Sequence, residues 1–254
     1  MARLGTLPSV PIGAIATLVI AGAGVLAGAL AAVAGFGIGS LLTPLVALQV
    51  GTRLAVAAVS IPHVAGSAMR LWLLRRHVDR RILIGFGVTS AVGGLAGAAL
   101  QSLASGRALA IVFAAVLVMA GVAELTGWMR RVRWGRRAAW VAGLASGLLG
   151  GLVGNQGGIR SASLLGFEVP KESFVATATA IALFVDAAHV PVYLATQGAE
   201  IAVLWPLLLV MTAGVLAGTA IGTRILGEVA DETFHRVVGT TLIALGVFMG
   251  ITGT

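Results

Sequence analysis

Charge is what this sequence has least of. Only 10% of its 254 residues are Asp, Glu, Lys or Arg, and just nine are acidic, against about a quarter charged in an ordinary soluble domain. A chain this poor in charge, 58% hydrophobic and with a mean hydropathy of +1.03, cannot cover a water-facing surface, and a soluble globular fold is excluded. Cysteine is absent, which removes disulfides, thiolate nucleophiles and cysteine-based metal sites. No close set of His, Asp and Glu has metal-ligand spacing, and no cofactor is expected. Ser40 with His63 is the nearest imitation of a protease dyad, and the chain reads as a non-enzyme. Gly35-Phe36-Gly37-Ile38-Gly39-Ser40 is not a phosphate loop, because no strand precedes it and no Gly-Lys-Ser/Thr comes after it.

What is present is a succession of apolar runs of about 20 residues, the length that crosses roughly 30 Å of hydrocarbon. The sequence predicts an all-α, multi-pass membrane protein of the cell (inner) membrane, with the lipid bilayer as its main partner. Glycine, 36 of 254 residues, suits helices that pack backbone to backbone through small side chains. The net charge of +8 does not point to nucleic acid. Ten of the 17 basic residues fall in two clusters between apolar runs, Arg70, Arg75, Arg76, Arg80, Arg81 and Arg130, Arg131, Arg133, Arg136, Arg137. Such clusters mark cytoplasmic loops under the positive-inside rule. The first apolar stretch, from Ile12, runs past 20 residues without a small-residue cleavage pattern, so it reads as retained rather than as a signal peptide.

Two glycine-rich breaks interrupt the apolar runs. The first is Gly35 to Ser40, and the second is Gly154-Asn155-Gln156-Gly157-Gly158-Ile159-Arg160. They lie 119 positions apart, and the same shift brings Val50 onto Val169, Ala57 onto Ala176 and Ser60 onto Thr179. This spacing predicts an internal duplication: a first repeat over 1–127 with its tip at 35–40, a basic cytoplasmic linker over 128–137, and a second repeat over 138–254 with its tip at 154–160. The expected full spans are Leu54–Leu74, Ile82–Leu103 and Leu109–Leu125 in the first half. The second half has Phe174–Leu194, then an outside loop at Thr196–Glu200. Counting crossings between basic and non-basic loops gives two inverted repeats, each a re-entrant, glycine-broken helical hairpin plus three transmembrane helices. The competing count, each break a kink in a crossing helix, gives eight spans and parallel repeats. Inverted repeats whose broken helices meet at midplane are the architecture of many secondary transporters.

Ionisable groups inside apolar spans are costly and therefore point to function. Arg160 comes after Gly157 and Gly158 at the expected start of a short helix, where backbone N–H groups already favour an anion and a guanidinium can grip an oxyanion through two hydrogen bonds. Asn155, Gln156, Ser161 and Ser163 could add donors; the alternative pairs Arg160 with Glu168. The first break, Gly35, Gly37, Gly39, Ser40 and Thr43, carries no charge and is expected to contribute backbone N–H groups. Asp186 and His189, three apart, share one helix face. They read as a proton relay, since histidine titrates near neutral pH, as a counter-ion for Arg160, or as a polar packing pair. His63, beside Pro62 at similar depth in the first half, joins them as a coupling or gating candidate. Tyr193 reads as an interfacial belt residue.

The two breaks, with the segments C-terminal to each, resemble the sulfite exporter TauE/SafE family. Its repeats have a Gly-x-Gly-Gly-Gly break, a short helix usually bearing Pro, then Leu-Gly-x-Pro-x-x-x-Ala-x-x-Thr/Ser. The second half reads Gly154-Asn155-Gln156-Gly157-Gly158, then Leu165-Gly166-Phe167-Glu168-Val169-Pro170-Lys171-Glu172-Ser173-Phe174-Val175-Ala176-Thr177. The first has Gly35 to Ser40, then Pro44, Val50-Gly51, Ala55 and Ala57. The chain departs from the pattern at Asn155-Gln156, at Arg160 and at Ser163, where the family's Pro would stand. The resemblance implies a transporter of small anions such as sulfite, sulfonates or carboxylates, driven by a proton or other ion gradient. An uncoupled channel for small anions or neutral solutes is the alternative, and a homo-oligomer is compatible with either.

Overall fold

The computed structural model describes residues 14–35, 37–103, 106–128, 136–153, 160, 164, 170–225 and 231–252. These are helical almost throughout, with no strand among them. In chain order the helices are α1 (Ala14–Ala34), α2 (Ile38–Val50) and α3 (Thr52–Leu74). Next is α4, built from Arg80–Ile82, a π-helical turn at Leu83–Gly87 and Val88–Leu103. Then come α5 (Gly106–Thr126), α6 (Arg136–Val153), α7 (Lys171–Val203), α8 (Trp205–Ile225) and α9 (Asp231–Thr252).

Four stretches are long and apolar enough to cross a membrane: Thr52–His77, Arg80–Gln101, Glu172–Val203 and Trp205–Ile225. Thr17–Val33, Ile38–Val50, Arg107–Ala123 and Trp140–Val153 are shorter apolar helices. The distribution of side chains is inverted relative to a soluble protein. Leu18, Trp72, Ile84, Leu103, Val141 and Ile251 are each more than 60% exposed, while Arg70, Arg160, Asp186, His189, Gln101 and Gln197 are buried. Apolar groups outside and ionisable groups inside are what a lipid solvent demands, so the chain is a membrane-embedded, multi-pass helical protein.

Three helix pairs dominate the packing: α1 with α8, α4 with α6, and α5 with α9. Gly24 sits against Met211 and Gly214, and Gly28 against Val215 and Thr219, so α1 and α8 run parallel. Likewise Gly93 lies against Leu144 and Leu148, and Gly97 against Leu148 and Leu152, so α4 and α6 run parallel. In contrast, α5 and α9 are antiparallel: Gly121 meets Gly239 and Ile243, while Gly246 meets Ala114 and Leu117. The central α3 and α7 are antiparallel too, since His63 reaches Asp186 and, farther along α3, Arg70 reaches Thr179. At the tight pairs a side chain would have nowhere to go. A Cβ at Gly147 would run into the carbonyl of Ser90, and one at Gly218 into the carbonyl of Val25, which is the small-residue packing of membrane helices.

The first break is a helix–turn–helix corner. Gly35 (φ +79°) closes α1, its N–H donating to Ala31 O at 2.9 Å, and Gly37 (φ +134°) opens α2. Both angles lie where only glycine is unstrained. A turn at Gly51 then reverses α2, whose 13 residues are too short to cross, into α3. The basic turn after α3 is pinned at Asp79. Its carboxylate accepts from the N–H groups of Arg81 and Ile82, and its own N–H donates to Thr177 Oγ1 at 2.9 Å. One expected boundary is wrong. Thr196–Glu200 is not a loop, because α7 continues for 33 residues to Val203, about 50 Å at 1.5 Å per residue. The segment has no Gly-Pro punctuation strong enough to stop it, and Gln197, on its inner face, finds a buried partner in Gln101 at 3.0 Å.

Candidate functional site

Two helices supply most of the buried polar chemistry, and they cross at the centre of the molecule. Asp186 on α7 is 2% exposed. Its Oδ2 accepts from His63 Nδ1 on α3 at 2.9 Å, and its Oδ1 lies 3.3 Å from His189 Nε2, one turn further along α7. An ionised carboxylate only accepts, so each imidazole donates from the nitrogen facing it. His189 Nδ1 is buried with no hydrogen-bond partner among the described residues, and the His189 ring packs 5.0 Å from that of Tyr193. The three side chains expected to couple or gate therefore form one cluster. Of the readings open from sequence, the geometry favours the shared cluster: Asp186 bonds to the two histidines and not, among the described residues, to Arg160.

This cluster lines a small cleft, which Gly39 and Thr43 of α2, Ser60 of α3, Gly150 of α6 and Tyr193 also line. Gly39 is thus brought to the cluster. Gly35 and Gly37 form the corner behind it, and Ser40 is buried in the first turn of α2. Tyr193 is not a belt residue. It is 1% exposed, and its hydroxyl donates to the carbonyl of Gly151 near the end of α6. A tyrosine that close to a helix end looks interfacial in sequence; α7 is longer than expected, so Tyr193 lies well inside it.

Arg160 is 1% exposed, and its Nη2 donates to the carbonyl oxygen of Gly35 at 3.3 Å. The guanidinium of the second break therefore rests on the backbone of the first, 125 positions away in sequence. Its Nε and Nη1 have no partner among the described residues. Asn155, Gln156, Gly157, Gly158, Ser161 and Ser163 lie outside the described residues, as does Glu168, the expected alternative partner of Arg160.

Arg70 is the residue that sequence reasoning misplaced. Grouped there with the cytoplasmic arginines, it is 1% exposed in α3. Its Nε donates to Thr179 Oγ1 at 2.7 Å and its Nη2 to Ser67 Oγ at 3.4 Å, while Nη1 has no partner among the described residues. Arg75 and Arg76, one turn on, are exposed as expected. The difference is helical phase: Arg70 falls on the α3 face turned to α7. The signal available in sequence was its place inside an apolar span, four residues before Leu74. Among the described residues no group of His, Asp and Glu could hold a metal ion.

Neither a curated protein nor a solved structure matches the chain. A family model does, over nearly its whole length. The match, described as "Sulfite exporter TauE/SafE", runs over residues 20–249 and takes in both halves, both glycine breaks and every residue of the candidate site. With its buried cations and carboxylate inside a lipid-facing helical shell, the chain belongs to the sulfite exporter TauE/SafE family of membrane transporters.

Proposed function

We propose that the protein is a secondary transporter of small oxyanions, most directly sulfite and sulfonates, that binds its substrate where the two glycine breaks meet. The observation that carries this reading is Arg160, buried in an apolar protein and resting on the Gly35 carbonyl, with two donor nitrogens that have no partner among the described residues. A buried cation persists where a partner compensates it, and an anion arriving at the tips is that partner. The sequence offers Gly157, Gly158, Asn155, Gln156 and Ser161 as further donors for this reading, and α2, opened by Gly37, contributes Gly39 and Ser40.

The packing supports inverted repeats. At the spacing expected from sequence, α1 corresponds to α6, α3 to α7, α4 to α8 and α5 to α9. The strongest pairs are then reciprocal, first helix of one half with fourth element of the other, and the self-equivalent pairs α3–α7 and α5–α9 are antiparallel. Parallel repeats would make those pairs parallel. In this reading α1 and α2 form a re-entrant hairpin with its tip at Gly35, and alternating access comes from movement of one half against the other. The His63–Asp186–His189 cluster beside α2 binds the coupling proton.

The test is sulfite uptake into vesicles. Arg160→Ala removes charge-assisted hydrogen bonds worth about 1.5–3 kcal/mol, so uptake at low substrate should fall roughly tenfold or more. A folded Arg160→Ala protein that takes up sulfite like the parent would overturn the assignment. Saturation of the parent's flux, with dependence on an imposed pH gradient, separates a coupled carrier from an open channel.

A further inference from the structure

Arg70 reaches α7 directly, and Arg160 bonds to a residue packed on the same stretch of that helix. Arg70 donates to Thr179. Arg160 donates to Gly35, and Gly35 lies against Ala178, Val175 and Phe174. Both guanidiniums are thus held by groups that meet over residues 174–179 of α7. Both are 1% exposed, and Arg70 Nη1, Arg160 Nε and Arg160 Nη1 have no hydrogen-bond partner among the described residues. The nearby carboxylate, Asp186, is occupied by His63 and His189. Two like charges buried away from water, with donors that have no partner among the described residues, offer a place for an anion. The 119-residue shift that aligns the halves sets Arg70 opposite His189 and Ser60 opposite Thr179. The carboxylate–imidazole cluster on one side of the α3–α7 crossing thus has a guanidinium counterpart on the other.

We infer that Arg70 is a second substrate-binding residue, which with Arg160 forms a two-guanidinium clamp selecting three-oxygen anions, sulfite and sulfonate, over carboxylates. The inference rests on the anion site proposed above. A carboxylate's acceptor sites lie in one plane, which one planar guanidinium matches. The three oxygens of a sulfite or sulfonate group point to the corners of a triangle and can be shared between two guanidiniums arriving from different elements. Thr179 Oγ1 fixes the angle of the first by accepting from Nε, and the Gly35 carbonyl fixes the second.

Methanesulfonate and acetate carry the same charge and differ in having three oxygens or two, so binding of each to the purified full-length protein, alongside sulfite, reads the clamp. Arg70→Lys keeps the charge and removes the planar fork. It should weaken sulfite and methanesulfonate by about tenfold or more and acetate by less than about threefold. If Arg70→Lys binds methanesulfonate like the parent while Arg160→Lys has lost it, the clamp is wrong and the Arg160 site stands. If both variants bind like the parent, both readings fall. Thr179→Val leaves both cations in place and covers the case of an unfolded Arg70 variant. It should lower the methanesulfonate-to-acetate preference severalfold, and an unchanged preference would overturn the clamp.

Discussion

In the transport cycle proposed above, Asp186 is the residue assigned to proton coupling. It sits between two imidazoles donated by different helices, at 2.9 and 3.3 Å, so a proton gained or lost there changes how tightly α3 and α7 are held together. Asp186→Asn keeps the shape and removes the charge. Uptake by this variant should become insensitive to an imposed pH gradient, while anion binding at the arginines changes by less than about threefold, less than the loss of a direct charge-assisted bond. Fluorescence quenching of a vesicle pH probe during substrate addition reads the coupling. Proton movement equal to that of the parent would assign coupling elsewhere. At this scale the sequence was legible in part. Arg160, Asp186, His189 and His63 stand out as ionisable groups well inside apolar stretches, whereas Arg70 and Tyr193 fall close to expected span ends. Whether an arginine near a helix end faces a neighbouring helix or the cytoplasm depends on rotation about the helix axis, and a single apolar helix records that rotation weakly.

At the scale of elements, the glycines decide which helices can touch. On α6, Gly143, Gly147 and Gly151 recur at four-residue intervals and face Phe86, Ser90 and Gly94 of α4; on α8, Gly214, Gly218 and Gly222 face Ala21, Val25 and Ala29 of α1. Gly218→Val or Gly147→Val forces these backbones apart. Overpacking of this kind costs about 1–3 kcal/mol, so either variant should unfold at lower temperature in detergent and lose transport in proportion to folded protein. Gly198, with nothing within 4 Å of a Cβ, is the control and should tolerate alanine. The glycine spacing was visible in the chain; which helix each stripe would meet was not. The overrun of α7 past Thr196 has the same cause, since burial of Gln197 against Gln101 is a tertiary gain that local turn preference cannot anticipate.

At the scale of the molecule, the prediction is sidedness. In an inverted arrangement the α2–α3 turn and the α7–α8 end lie on one side, and the exposed arginine turn after α3 on the other. Cysteines replacing Gln49 and Glu200, both exposed, should label with a membrane-impermeant maleimide from outside intact cells, and one replacing exposed Arg76 should label only after permeabilisation. Labelling of Gln49→Cys and Glu200→Cys from opposite sides would exclude the inverted arrangement. The absence of native cysteine makes this measurement direct.

What the sequence determined by itself is the solvent, the class of architecture and the two breaks. Hydropathy, scarce charge and glycine spacing are summed along the chain and need no contacts to be read. The tertiary structure alone decided which buried polar groups meet. Arg70 meets Thr179 across 109 positions and Arg160 meets Gly35 across 125, and such meetings depend on which faces the helices turn to each other. That choice is made by close packing of glycine-bearing helices in lipid, where shape, not hydrophobicity, selects the neighbour.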